Sequence, residues 1–404
     1  MQHYILNFMF ILSVLFHAGL SNANSILPET PGNANTVINK PIMTMTPSPP
    51  TINANAYILI DVHSGKIIAE KNKSQKLPPA SLTKMMTLYV VSNALSNQQI
   101  NLTDSIRISR DAWQTSGSRM FIKEGQQVTI EELMKGIIVD SGNDACVAVA
   151  EHLGGSESGF AEIMNHHAKN LNMLDSNFTD STGLPDPNHY TTAYDLAILG
   201  RSLINDFPQY YHYYKQKWFT YNNIKQPNRN RLLWRDNHVD GVKTGHTDEA
   251  GFCLVSSAKQ NDMRLLAVLL GSPSDSIRAD DSERLLNYGF RFFETHKIYQ
   301  AMQTITEINI YKGKTSKLDL GVIKDQYITI PRGQYQHLKV KTQIPKNIQA
   351  PITQGSQIGE LIIELNNIIL ERHPLYALHS VDQGGFITRA QDAVRLTVKN
   401  WFNS

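Results

Sequence analysis

Pro78-Pro79-Ala80-Ser81-Leu82-Thr83-Lys84-Met85-Met86-Thr87-Leu88-Tyr89-Val90 is the stretch on which the fold class and most of the chemistry turn. Leu82, Met85, Met86, Tyr89 and Val90 recur at helical spacing, so a helix is expected to begin near Ser81. Proline is cheap there, because its missing N–H would be unpaired in a first turn. Residues three apart on a helix share a face, which brings the Lys84 amine to the Ser81 hydroxyl. A hydroxyl is a weak nucleophile near neutral pH and needs an adjacent base. Lysine serves as one only when burial and a second cation destabilise its ammonium. Backbone N–H groups at the helix start are also placed to hold an oxyanion.

A Ser-x-x-Lys alone is weak evidence. Ser256-Ser257-Ala258-Lys259 repeats it in an apparent strand, where positions i and i+3 face opposite sides. Two further motifs, Ser141-Gly142-Asn143 and Lys243-Thr244-Gly245, each occur once. Ser141 precedes a helix expected from Asp144, so its hydroxyl can relay a proton at a cleft edge. The Asn143 amide can bind a substrate carbonyl and orient a lysine. Lys243 and Thr244 suit a carboxylate, and Gly245 at the head of a strand region admits a substrate backbone. The ordered trio is of the kind found in acyl-serine enzymes acting on β-lactams and related peptides.

Around these motifs, Tyr57–Val62 and Ile67–Glu70 read as a hairpin turning at His63-Ser64-Gly65-Lys66. Helices are expected over Ile130–Ile138, Asp144–Leu153, Phe160–Leu171, Ala193–Ile204 and Asp280–Glu294, and strands over Gly251–Ala258 and Arg264–Leu270. Strands at both ends with helices between predict an α+β domain with a largely antiparallel sheet over residues 54–295. Short alternating segments from Ile305 to Leu370 then predict a small all-β domain over 296–383. In the last segment, 384–404, Phe386, Ile387, Ala390, Val394, Val398, Trp401 and Phe402 form one stripe. Arg389, Asp392, Arg395 and Lys399 lie elsewhere on it. That pattern predicts an amphipathic helix at a membrane surface, the alternative being a helix docked on its own domain.

At the other end, Ile5–Leu15 is apolar but too short to span a bilayer, and Ser21-Asn22-Ala23 offers small residues for cleavage. Residues 1–23 are read as a signal peptide, although no Lys or Arg precedes the run. Residues 24–53, rich in Asn, Thr and Pro, are read as a flexible linker, with order beginning at Ala54. Lys and Arg number 38 against 36 Asp and Glu, without a basic cluster, so nucleic acid is not expected as a partner. Cys146 and Cys253 lie in apolar stretches and read as two buried thiols. No metal or cofactor is expected, since His166-His167 and Asp280-Asp281 lack ligand spacing. His189 and His246 lack an identifiable third partner for a hydrolase triad.

The trio extends into longer runs: Pro79–Thr87, Ser141-Gly142-Asn143-Asp144-Ala145-Cys146, Asn228-Arg229-Asn230, Asp240–Thr247 and Gly289–Thr295. From about Ala54 onward the sequence resembles the low-molecular-mass penicillin-binding proteins, specifically membrane-attached, two-domain D-alanyl-D-alanine carboxypeptidases. The resemblance implies a penicillin-binding/β-lactamase-like domain in which Ser81 is acylated by peptidoglycan peptides ending in D-Ala-D-Ala, with β-lactam antibiotics as inhibitors. Lys84 is then the base, the backbone N–H groups of Ser81 and His246 form the oxyanion hole, and Ser141, Asn143, Lys243 and Thr244 complete the network. Arg229 and Arg278 would support the substrate's terminal carboxylate, the alternative for each being a solvated surface charge. The expected location is the periplasmic face of the inner membrane. A β-lactamase shares the trio, but Ser176–Ser181 offers no glutamate to activate a deacylating water. A catalytically silent peptidoglycan-binding scaffold is a third reading, which the intact trio opposes.

Overall fold

The computed structural model describes residues 46–402. The expected signal peptide and most of the expected linker lie outside them. Order does not wait for Ala54. The Tyr288 hydroxyl donates to the Pro47 carbonyl at 2.8 Å, Ile52 is buried, and the Asn53 N–H donates to Asp281 Oδ2 at 2.7 Å. The last residues assigned to the linker are therefore docked.

The scaffold is a five-stranded antiparallel sheet in the order Ile67–Lys71, Ala56–Asp61, Met263–Ser272, Gly251–Gln260, Val239–Thr247. Its central strand shows why both faces are covered. Leu265, Ala267 and Leu269 enter one apolar cluster with Leu285 and Leu286 of the helix Asp275–Phe292. Leu266, Val268 and Leu270 enter the other, with Leu88, Val149 and Leu199 from the helices Lys84–Ser96, Asn143–Gly154 and Ala193–Asp206. Successive residues of a strand point to opposite faces, so an unbroken apolar run must be sandwiched. Each buried leucine contributes about 1.5–3 kcal/mol.

Several expected boundaries move. Lys243-Thr244-Gly245 lies inside the edge strand Val239–Thr247, not at the head of the next one, leaving one edge of that strand outside the sheet. The helix expected from Asp280 begins at Asp275, because the Ser274 hydroxyl accepts the Ile277 N–H and caps it. The helix expected over Ile130–Ile138 is α-helical only through Lys135 and continues as a π turn, Gly136–Asp140.

In the C-terminal part, a five-stranded antiparallel sheet runs in the order Thr304–Asn309, Lys317–Gly321, Ile368–Ala377, Gln357–Leu365, Leu338–Gln343. Lys317–Gly321 was not foreseen. Strand Phe293–Tyr299 pairs with Gln326–Pro331 and carries the chain across position 295 without a break. The joint to the first sheet is polar: Thr295 Oγ1 donates to Asp61 Oδ2 at 2.9 Å, and the hydroxyls of Ser64 and Thr329 lie 2.7 Å apart. The last helix, Phe386–Phe402, rests on this domain through its polar side. Asp392 Oδ2 accepts the Lys312 N–H at 2.6 Å, Lys399 Nζ donates to the Tyr311 hydroxyl at 3.2 Å, and Leu396 is buried. Phe386 and Trp401 are exposed by 78% and 79%, and Ile387, Val394 and Val398 are exposed beside them. No helix of the described residues is long and apolar enough to cross a membrane.

Candidate active site

The nucleophile turn is tighter than expected. Ala80–Thr83 is a 3-10 turn, and the α-helix starts only at Lys84. Ala80 sits at φ +48°, a conformation that L residues adopt only when their surroundings impose it. Two glycines hold it there. A Cβ on Gly183 would fall 1.8 Å from the Ala80 carbonyl oxygen. One on Gly245 would crowd the Pro79 carbonyl and the Ser81 and Leu82 amides at 3.0–3.2 Å. Gly245 thus serves first to let its strand close on the nucleophile turn, a tighter constraint than admitting substrate.

Lys84 is fully buried, and its Nζ donates to Ser81 Oγ at 2.8 Å and to the Thr182 carbonyl at 2.7 Å. Burial lowers its ammonium from 10.5 to about 8, with Arg229 pushing the same way and Asp180 opposing. Lys243, also buried, donates to Ser141 Oγ at 2.9 Å and to the Thr244 carbonyl at 3.0 Å. Its ammonium is held well below the usual lysine range by burial and by the Lys84 charge. Two buried cations without a carboxylate in contact therefore face two hydroxyls. Such an arrangement costs stability and favours proton loss from both amines, Lys84 at about 8 and Lys243 well below the usual lysine range.

Ser141 follows the π turn in the left-handed region, at φ +60°. That geometry ends one helical segment and starts the next at Asn143, directing the hydroxyl between them. Asn143 Nδ2 donates to the Ser116 carbonyl at 2.7 Å, pinning the 116–118 loop. Asp144 anchors the adjoining segment through the amides of Met120, Phe121 and Ile122, at 2.9, 2.9 and 3.3 Å. Asp140 is the discordant neighbour. It is buried, its Oδ1 has no hydrogen-bond partner, and burial with the Asp144 charge raises its carboxyl to about 7.

A cavity of about 790 Å³ opens in front of Ser81, with Ser141, Thr244, Gly245 and His246 in its lining. Arg229 and Arg278 line it too, so both expected arginines belong to the cleft. Arg278 is no solvated surface charge. It is 6% exposed and donates from Nη1 to the carbonyls of Gly245 and Cys253 at 2.9 and 3.1 Å. The sequence reading missed Gly117, Ser118, Asn228, Arg231 and Asp275 in this lining. It also missed Thr182, whose contribution is a backbone carbonyl that no side-chain motif reports. Ser256 lies in a strand, buried, its hydroxyl without a partner, and outside the cleft lining. The second Ser-x-x-Lys is thus a decoy.

His189 has partners, none of them a serine, so no hydrolase triad forms around it. Its Nε2 lies 2.9 Å from Thr83 Oγ1 and its Nδ1 lies 3.3 Å from Asp180 Oδ2. Thr83 is itself buried, and neither it nor His189 lines the cavity. The trio instead braces the loop that carries Thr182. Burial would raise the Asp180 carboxyl, but hydrogen bonds from His189 and Thr182 outweigh it and hold it at about 2. That carboxylate is therefore spent inside its loop. Cys146 and Cys253 are free and buried, their thiols pushed up by burial to about 12 and about 11.

With this geometry in hand, the comparisons with known proteins are specific. Residues 43–274 match the family described as D-alanyl-D-alanine carboxypeptidase, and residues 293–383 match the C-terminal domain of penicillin-binding protein 5. The chain is 44% identical to D-alanyl-D-alanine carboxypeptidase DacC of Escherichia coli over 88% of its length and 91% of that protein's. It is 42% identical to DacA of Haemophilus influenzae, covering 88% and 92% of the two chains. Among solved structures, penicillin-binding protein 5 from H. influenzae superposes with a TM-score of 0.81 at 42% identity, covering 83% of this chain and 99% of that one. An ampicillin-bound penicillin-binding protein D2 from Listeria monocytogenes gives a TM-score of 0.55 at 28% identity, covering 60% and 100%.

Proposed function

The chain belongs to the D-alanyl-D-alanine carboxypeptidase family, and from that premise we propose how its own residues carry the reaction. It is a serine-type carboxypeptidase that removes the terminal D-alanine of peptidoglycan peptides, and a penicillin-binding protein that β-lactams acylate. One contact carries the assignment of roles: the buried Lys84 amine 2.8 Å from Ser81 Oγ. In its neutral form that amine takes the hydroxyl proton as Oγ bonds to the carbonyl carbon of the penultimate D-alanine. The backbone N–H groups of Ser81 and His246 stabilise the resulting oxyanion. The C–N bond then breaks, and the proton that Lys84 took from Ser81 passes through Ser141, which Lys243 contacts at 2.9 Å, to the leaving amine, which returns Lys84 to its neutral form. Water, deprotonated by the neutral Lys84, then attacks the acyl carbon, the C–Oγ bond breaks, and Lys84 returns that proton to Ser81 Oγ. Asn143 holds the cleft wall, Thr244 and Arg229 meet the substrate's terminal carboxylate, and Gly245 keeps the oxyanion site close to Ser81.

The remaining organisation is proposed on the same footing. Residues 1–23 export the chain, the part of 24–53 that precedes the docked residues 47–53 tethers it, and 54–295 form the catalytic domain. The β domain, 296–383, spaces the cleft from the membrane, and 384–404 rests on the periplasmic surface of the inner membrane. The last assignment is supported by the exposed apolar row Phe386, Ile387, Val394, Val398 and Trp401 on a helix whose polar side is docked.

One assay addresses the chemistry. Wild-type protein incubated with benzylpenicillin should carry a long-lived adduct on Ser81 by peptide mass spectrometry, and it should release D-alanine from a D-Ala-D-Ala peptide. Ser81→Ala should abolish both. Fast penicillin turnover without D-alanine release would instead mark a β-lactamase, and no adduct at all a silent scaffold.

A further inference from the structure

Arg278 was expected to steady the substrate's terminal carboxylate, yet its hydrogen-bonding capacity is largely committed. Nη1 serves the Gly245 and Cys253 carbonyls, and Nη2 pairs with Asp275 Oδ1 at 2.5 Å. Asp275 stands at the first position of the helix Asp275–Phe292, where the helix dipole favours a carboxylate. Its second oxygen, Oδ2, forms an ion pair with Arg231, 2.6 Å from Nε. One acid thus bridges two guanidiniums of different standing. The Arg278 side chain is 7% exposed, whereas that of Arg231 is 55% exposed. Among the described residues no hydrogen bond or ion pair engages Nη1 or Nη2 of Arg231, and Arg231 lines the same cavity as Ser81 and Thr244. A guanidinium fixed through Nε keeps its two terminal nitrogens as a fork suited to a carboxylate. Three arginines and one aspartate also leave this end of the cleft net positive.

We propose that Arg231, oriented by Asp275, binds the terminal carboxylate of the substrate beside Arg229, and that Arg278 is a strut holding Gly245 and Cys253 in register. This rests on Ser81 being the nucleophile, and adds a specificity residue that none of the three motifs contains. Arg231 touches the leaving group; Asp275 acts through it, as a positioning residue.

Steady-state kinetics on a D-Ala-D-Ala peptide and on its C-terminal amide test the assignment. Arg231→Ala should lose about tenfold in kcat/KM on the acid, mostly through KM, and little on the amide. Asp275→Asn should shift the acid-to-amide preference in the same direction by less. Arg278→Lys should lower the melting temperature and keep the preference. Arg231→Gln, checked by its melting curve, guards against a folding defect. An unchanged preference in both Arg231 variants, or its collapse in Arg278→Lys, would overturn the proposal while leaving D-alanine release intact. Absence of release from the wild type on either peptide would remove the proposed roles as well.

Discussion

The cleft and the C-terminal helix break the ordinary rule of burial in opposite directions. In the cleft, Lys84 and Lys243 are buried with hydroxyls and carbonyls for partners and no carboxylate in contact. On the last helix, Phe386 and Trp401 stand almost fully in solvent while Asp392 is buried. Each arrangement costs free energy in the isolated protein, the first by desolvating charge and the second by hydrating apolar surface. On the proposed roles, each is offset by its counterpart: a substrate that lends charge, or an interface that accepts aromatic rings. A violation of burial is thus informative when the residues involved can act together, as both sets can here.

The contrast can be broken at either end. The largest expected effect is in the cleft. Lys84→Met keeps the packing volume and removes the base, so the rate of Ser81 acylation by penicillin should fall by about a thousandfold with little change in melting temperature. A variant that acylates at near the normal rate would return the proton to another group. Next, removing residues 386–404 should weaken binding to anionic lipid vesicles by about a hundredfold, as expected when several apolar side chains lose their burial. Hydrolysis of a small soluble peptide should hardly change. If the truncated protein still floats with vesicles, the exposed row is not the attachment surface.

How much of this was legible beforehand depended on the range of the signal. Ser81, Lys84, Ser141 and Lys243 were readable because motif chemistry and local spacing sufficed, and the apolar stripe of the last helix was likewise a local pattern. The link between Arg231 and Asp275 was not, since it joins residues 44 positions apart through tertiary packing. Nor was the role of Thr182, which offers a main-chain oxygen. The early start of the helix at Asp275 had a local cue, the Ser274 cap, but weak apolar periodicity in its first turn obscured it. The docking of Ile52 and Asn53 was hidden by a composition suited to a linker. Arg278 lies in between: its sequence context points toward the cleft whose cavity it lines, while its commitment to carbonyls requires the fold.

The pH dependence of Ser81 acylation bears most directly on the central pairing. In the proposed mechanism only the neutral Lys84 amine accepts the hydroxyl proton, and burial holds its ammonium at about 8. The second-order rate of adduct formation with benzylpenicillin, followed by intact-protein mass, should therefore rise about tenfold per pH unit well below 8 and level off above it. A rate that is flat from pH 6 to 9, or that falls as Lys84 is deprotonated, would contradict the assignment of Lys84 as the base for Ser81.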